Sequence, residues 1–148
     1  MSNYNKIMKQ KNVIALASRI TEKAHKIIIR ELESYGINGI VPSHGGILGL
    51  LFSREGYTMK DLAEKIHRTK PTVTVLVDKL VNLGYVTKEK SFEDGRVTFI
   101  KLTEKGLALE PSFIAISEKL NEVVYHGFSD AEAEDVEKAL EKLKHNLD

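Results

Sequence analysis

Thr69-Lys70-Pro71-Thr72-Val73-Thr74-Val75-Leu76-Val77-Asp78-Lys79-Leu80-Val81-Asn82-Leu83-Gly84 is the stretch on which the fold turns. Val73, Leu76, Val77 and Leu80 recur at i, i+3, i+4, i+7, which predicts a helix with one buried stripe and an exposed opposite face. Pro71 suits a first helical turn, where its missing N–H costs nothing, and Gly84 is a natural stop. Just upstream, Thr58-Met59-Lys60-Asp61 has the form of a capping box opening a short helix through Leu62, Ala63 and Ile66. Two short helices joined by a tight connection read as a helix-turn-helix.

Downstream of Gly84 the period changes. Tyr85–Lys90 and Arg96–Leu102 are rich in Val, Thr, Phe and Ile and flank the polar Ser91-Phe92-Glu93-Asp94-Gly95, so they read as a hairpin packed on the helices as a wing. Upstream, Val13, Leu16, Ile20, Ala24, Ile27 and Ile28 predict one long helix over residues 7–34, and Ser43 is the expected cap of a helix burying Ile47, Leu48 and Leu51. Thr103 is expected to cap a long helix reaching about His126, and Ser129-Asp130-Ala131-Glu132 a final one. The fold class is therefore mainly α with a small antiparallel β-hairpin wing: a winged helix-turn-helix with long terminal helices. We read one domain, residues 1–148, with a winged part at 43–102 flanked by 1–36 and 107–148.

Composition narrows the function classes. The chain has no cysteine, which excludes disulfides, thiolate metal sites and thiol nucleophiles. Its 42% hydrophobic content lacks any run near the roughly 20 apolar residues of a membrane span, and its first residues lack a secretion signal, so a soluble, cytoplasmic protein is expected. The net charge of +1 conceals a polarity: +4 over residues 1–59, +3 over 60–101 and −6 over 102–148. Charge alone is equally compatible with an acidic solvated C-terminal helix.

On the exposed side of the Thr69–Leu83 helix stand Pro71, Val75, Asp78 and Asn82, flanked by Thr72, Thr74 and Lys79. Such a small, weakly charged face suits a DNA major groove: hydroxyls for phosphates or base edges, Val75 for a thymine methyl, Lys70 and Lys79 for phosphates. An ordinary surface helix would look the same. At the hairpin tip, Asp94 stands where it can orient Arg96 toward a narrow minor groove, although such a pair is more often a weak surface contact.

Three linked stretches resemble the MarR family of transcriptional regulators: Met59-Lys60-Asp61-Leu62-Ala63-Glu64-Lys65-Ile66, Pro71 through Leu80 with Gly84, and Asp94-Gly95-Arg96 running into Leu102-Thr103-Glu104-Lys105-Gly106. The resemblance implies a homodimer built from the terminal helices, recognition helices in successive major grooves of double-stranded DNA, wings in minor grooves, and often a small-molecule effector. The DNA-binding residues it and the pattern select are Thr69, Lys70, Pro71, Thr72, Thr74, Val75, Lys79, Lys88, Lys90, Asp94 and Arg96. A ligand-responsive repressor on a pseudo-palindromic operator is the function implied. Three features depart from the family pattern. Val75 replaces a frequent arginine, which favours an A·T-rich operator; Lys79 and Lys88 replace arginines, keeping charge but losing the bidentate fork; and the lack of cysteine removes regulation by thiol oxidation.

The histidines, at 25, 44, 67, 126 and 145, show no compact ligand spacing, so no metal, cofactor or catalytic residue is expected and an enzyme is disfavoured. His44, with His25, is the effector-site candidate, against a structural role that carries more weight. The competing reading of the whole chain is a winged-helix protein-interaction or scaffolding module without DNA binding.

Overall fold

Where the apolar period over residues 7–34 predicts one helix, the chain forms two: α1 (Asn3–Gln10) and α2 (Val13–Ser34). Lys11 and Asn12 leave helical geometry between them, and the Asn12 carbonyl accepts the first bond of α2 from Leu16. Asparagine competes with the backbone for hydrogen bonds, so it interrupts a helix without disturbing the apolar spacing on either side. The structure, a computed structural model, describes residues 2–148. It comprises two compact units, Met1–Ile116, of which residues 2–116 are described, and Ser117–Asp148.

The first unit continues with α3 (Pro42–Ser53), β1 (Tyr57–Thr58), α4 (Met59–Lys65), α5 (Lys70–Asn82), β2 (Val86–Lys90), β3 (Thr98–Leu102), α6 (Glu104–Leu107) and the start of α7 (Glu110–Val124). Ser43 does not cap α3. Pro42 already occupies its first turn, and the His44 side chain accepts the Val41 N–H at 3.0 Å instead. Thr58 caps α4 as expected, accepting from the Asp61 N–H at 3.0 Å, but the Asp61 carboxylate does not reach back; it pairs with Arg54 at 3.3 Å. The connection from α4 to α5 is closed by Arg68 N–H donating to Ala63 O, with His67 in the left-handed region at φ 56°.

Thr103 does cap a helix, yet that helix is only α6, not a continuous run to His126. Pro111 cannot donate to the carbonyl one turn back, so the chain restarts as α7 with the proline in its first turn. The hairpin strands are shorter than expected because the tip consumes Arg96 and Val97: the Val97 N–H donates to Asp94 O and the Ser91 N–H to Val97 O. A third strand, β1, pairs antiparallel with β3, giving the order β1-β3-β2; two residues are too few to announce themselves by alternation.

Register fixes the wing's two faces. Val86 opposite Leu102, Lys88 opposite Ile100 and Lys90 opposite Thr98 share one face, and the burial of Val86 and Ile100 turns it toward the helices. The core gathers Ile47, Leu48 and Leu51 of α3, Leu62 of α4, and Val73, Val77 and Leu80 of α5. The junction of α5 with the wing is tightly specified. The Thr103 hydroxyl donates to Gly84 O at 2.6 Å, Lys105 Nζ donates to Leu83 O at 2.7 Å, and Gly106 lies so close to Tyr85 O that a Cβ there would stand 2.1 Å away.

The second unit holds the rest of α7 and α8 (Asp130–His145). Its capping box is complete: Ser129 Oγ accepts the Glu132 N–H at 3.1 Å and the Glu132 carboxylate accepts the Ser129 N–H at 3.2 Å. Apolar stripes stay bare in both units, including Ile14, Leu16 and Ile20 on α2, Val123 and Val124 on α7, and Val136, Leu140 and Leu143 on α8.

Candidate nucleic-acid interface

Thr69 sets the start of α5 by accepting the Thr72 N–H at 3.4 Å, while its own hydroxyl hydrogen-bonds Thr72 Oγ1 at 3.0 Å. Thr74 donates to Lys70 O at 2.9 Å, which leaves its oxygen lone pairs facing outward. With Val73, Val77 and Leu80 anchored in the core, the opposite face is held to solvent, and Pro71, Thr72, Thr74 and Val75 are all exposed; Val75 is 70% so. A helix pinned by three fully buried side chains presents that face in one orientation.

The wing completes the surface. Asp94 Oδ1 accepts both the Arg96 N–H at 3.0 Å and its Nε–H at 3.2 Å. These two bonds, the backbone one first, hold the Asp94 carboxyl below the usual carboxylate range. The arginine keeps its outer guanidinium nitrogens for another partner, being 92% exposed along its side chain. Arg96, Thr98, Lys70, Thr74 and Lys60 border one open groove between wing and helices. Thus the structure brings Lys70, Thr74 and Arg96 together. It also adds Lys60, which the sequence reading passed over as a capping-box filler; the first helix of a helix-turn-helix commonly crosses the backbone, and that was the available signal.

The remaining lysines differ among themselves. Lys88, itself exposed, forms an ion pair with Asp78 across the α5–β2 junction, so its charge is partly met within the chain. Lys90, one pleat further along the same face, is exposed, whereas Lys101 on the other face pairs with Glu89 at 2.9 Å. Lys79 lies on the far flank of α5, its stem beside Gly39.

His44 and His25 are not brought together. His25 is exposed on α2, and His44 is buried at the start of α3, where it serves its own helix turn. Burial, and then the charge of Lys79, lower the His44 pKa, so the ring is neutral with Nδ1 accepting from Val41. Among the described residues no group of three His, Asp or Glu side chains could hold a metal ion. Among the described residues, no helix is long and apolar enough to cross a membrane.

Residues 42–98, the span of α3 through the hairpin tip, match the model of the MarR family. The transcriptional regulator MhqR of Bacillus subtilis, described as HTH-type, is 27% identical over 101 residues, 68% of either chain. Among solved structures, a MarR transcriptional regulator from Methanosarcina mazei Go1 is 28% identical and superimposes with a TM-score of 0.78 over 92% of this chain and 96% of that one. The Staphylococcus aureus MepR–DNA complex is 25% identical, with a TM-score of 0.82 over 89% of this chain and 96% of its counterpart.

Proposed function

We propose that the chain, whose residues 42–98 match the MarR family model, is a transcriptional regulator of that family that binds double-stranded DNA as a homodimer, repressing from a pseudo-palindromic operator in response to a small-molecule effector. The observation that carries the DNA reading is the groove bordered by Lys60, Lys70, Thr74 and Arg96, with Arg96 aimed by Asp94. Its cations come from three separate elements and converge on one surface, the arrangement a phosphate backbone requires. The S. aureus relative, whose structure is a complex with DNA, lends support from outside the chain.

The dimer reading draws on the apolar side chains that α2, α7 and α8 leave in solvent, the kind of surface a partner protomer covers. In a dimer the two α5 helices would sit roughly 34–36 Å apart, one duplex turn. An effector would act by changing that separation. Val75, apolar and exposed at the centre of α5, favours a thymine methyl over guanine as its base contact and hence an A·T-rich half-site.

Titration of duplex DNA at several salt concentrations tests this. Lys60, Lys70, Lys79, Lys90 and Arg96 in each protomer set the steepest slope of log K against log salt at about −9 for the dimer. Negligible affinity at low salt, with no slope, would transfer the fold to the protein-interaction reading. Light scattering at micromolar concentration tests the dimer separately, and a monomer refutes it.

A further inference from the structure

Phe92 stands at the tip of the wing with its whole side chain in solvent, at 109% of reference exposure, the highest of the large apolar residues described. The tip is not a slack loop on which a ring has been left unplaced. Ser91 N–H donates to Val97 O and Val97 N–H to Asp94 O, each at 2.9 Å, while Ser91 Oγ accepts from the Glu93 N–H at 3.2 Å and the Asp94 N–H at 3.4 Å. Those bonds close the turn without any help from Phe92. Polar residues fill such turns readily, so the aromatic is placed where neither turn chemistry nor the core uses it.

Its surroundings say what it can meet. Arg96 leaves the tip on the side facing α5 and borders the groove with Lys70 and Thr74. Phe92 leaves on the other side, beside Phe99 and the Glu89–Lys101 ion pair, which is internally neutralised at 2.9 Å. The tip thus carries a cation on one flank and an apolar ring on the other. A minor groove is about 6 Å wide and 7.5 Å deep, so a hairpin tip entering it lies between two sugar–phosphate walls. The wall's apolar component is the C–H surface of the deoxyribose.

We propose that Phe92 is a DNA-contacting residue: as the wing enters the minor groove, its ring packs against the deoxyribose wall of one strand and holds Arg96 over the groove floor. This rests on the DNA reading above. The contact is independent of charge and tolerant of sequence, so it adds affinity at every salt concentration rather than base preference.

The test uses full-length protein and duplex DNA enriched from a randomised pool by the wild-type chain. Phe92→Ala is expected to weaken binding about tenfold at each salt concentration with an unchanged salt slope. Phe92→Leu, which keeps an apolar group, is expected to recover most of the loss. Melting temperatures of both variants should equal that of the wild type, since the ring touches no core. Wild-type protein that fails to bind DNA overturns the function; wild-type binding with Phe92→Ala indistinguishable from it overturns this inference alone. A loss seen only on duplexes long enough for two neighbouring dimers would put the ring against protein instead, and overturns it too.

Discussion

Replacing Gly106 by alanine should loosen the junction between α5 and the wing. The added Cβ would stand 2.1 Å from the Tyr85 carbonyl oxygen and 3.0 Å from Leu102 Cδ2, so α6 and the base of β2 must part by about 1 Å before it fits. That carbonyl also accepts the Thr103 N–H at 3.0 Å, and the separation sacrifices a bond worth about 1 kcal/mol. Overpacking against backbone adds roughly 1–3 kcal/mol, while the better helix propensity of alanine returns about 1 kcal/mol. The net is a destabilisation of about 2 kcal/mol, equivalent to a fall in melting temperature of about 4–8 °C for a chain of this length. Calorimetry or thermal circular dichroism at one fixed protein concentration measures it, since an oligomer's melting point depends on concentration. Gly95→Ala is the control: nothing lies within 4 Å of its Cβ, and it should shift stability by no more than about 0.5 kcal/mol. Equal melting temperatures for the two variants would refute the close-approach reasoning.

Three further outcomes are expected. Arg96→Ala should make the salt slope of DNA binding shallower by about 0.9 per protomer and lower the preference for narrow minor grooves; unaltered operator binding would remove the wing from the interface. Asp78→Asn frees Lys88 from its ion pair, so the slope should steepen by about the same amount and low-salt affinity rise, and an unchanged slope would mean that Lys88 never faces phosphate. His44 is held neutral in the folded chain by burial and by Lys79, so as pH falls the unfolded chain takes up the proton first, near its ordinary value of about 6.5. The stability tied to the neutral ring is therefore present above that pH and is lost as pH falls toward the folded value. His44→Gln keeps an acceptor for the Val41 N–H without titrating, so its urea midpoint should vary less between pH 7 and pH 5, and parallel curves would contradict the assignment.

Local rules alone determined the elements that interface and core depend on most. Thr58 and Ser129 each cap the helix they were expected to open, Thr103 caps the start of a shorter one, and Val73, Val77 and Leu80 form the buried stripe. Caps and periodic stripes involve residues within a turn or two of one another, so their physics is written in consecutive letters. The continuity of long helices was not legible in that way. Apolar spacing persists across Lys11-Asn12 and across Ala108-Leu109, but hydrogen bonding does not, and periodicity reports only the former.

Relations between distant segments were decided by the tertiary structure. β1 exists only because β3 offers it an edge, and Lys60 becomes part of the groove only because α4 is packed beside Arg96. Lys88 and Lys90 look equivalent in sequence and both are exposed, yet Asp78, a residue of another element, forms an ion pair with Lys88 alone of the two. His44 reads as a ligand candidate until folding buries it and gives its nitrogen a backbone partner. The sequence therefore determined which helix presents its polar face and which residues start it. Which cations share that surface, and which are already matched, depended on contacts between segments that no local pattern records.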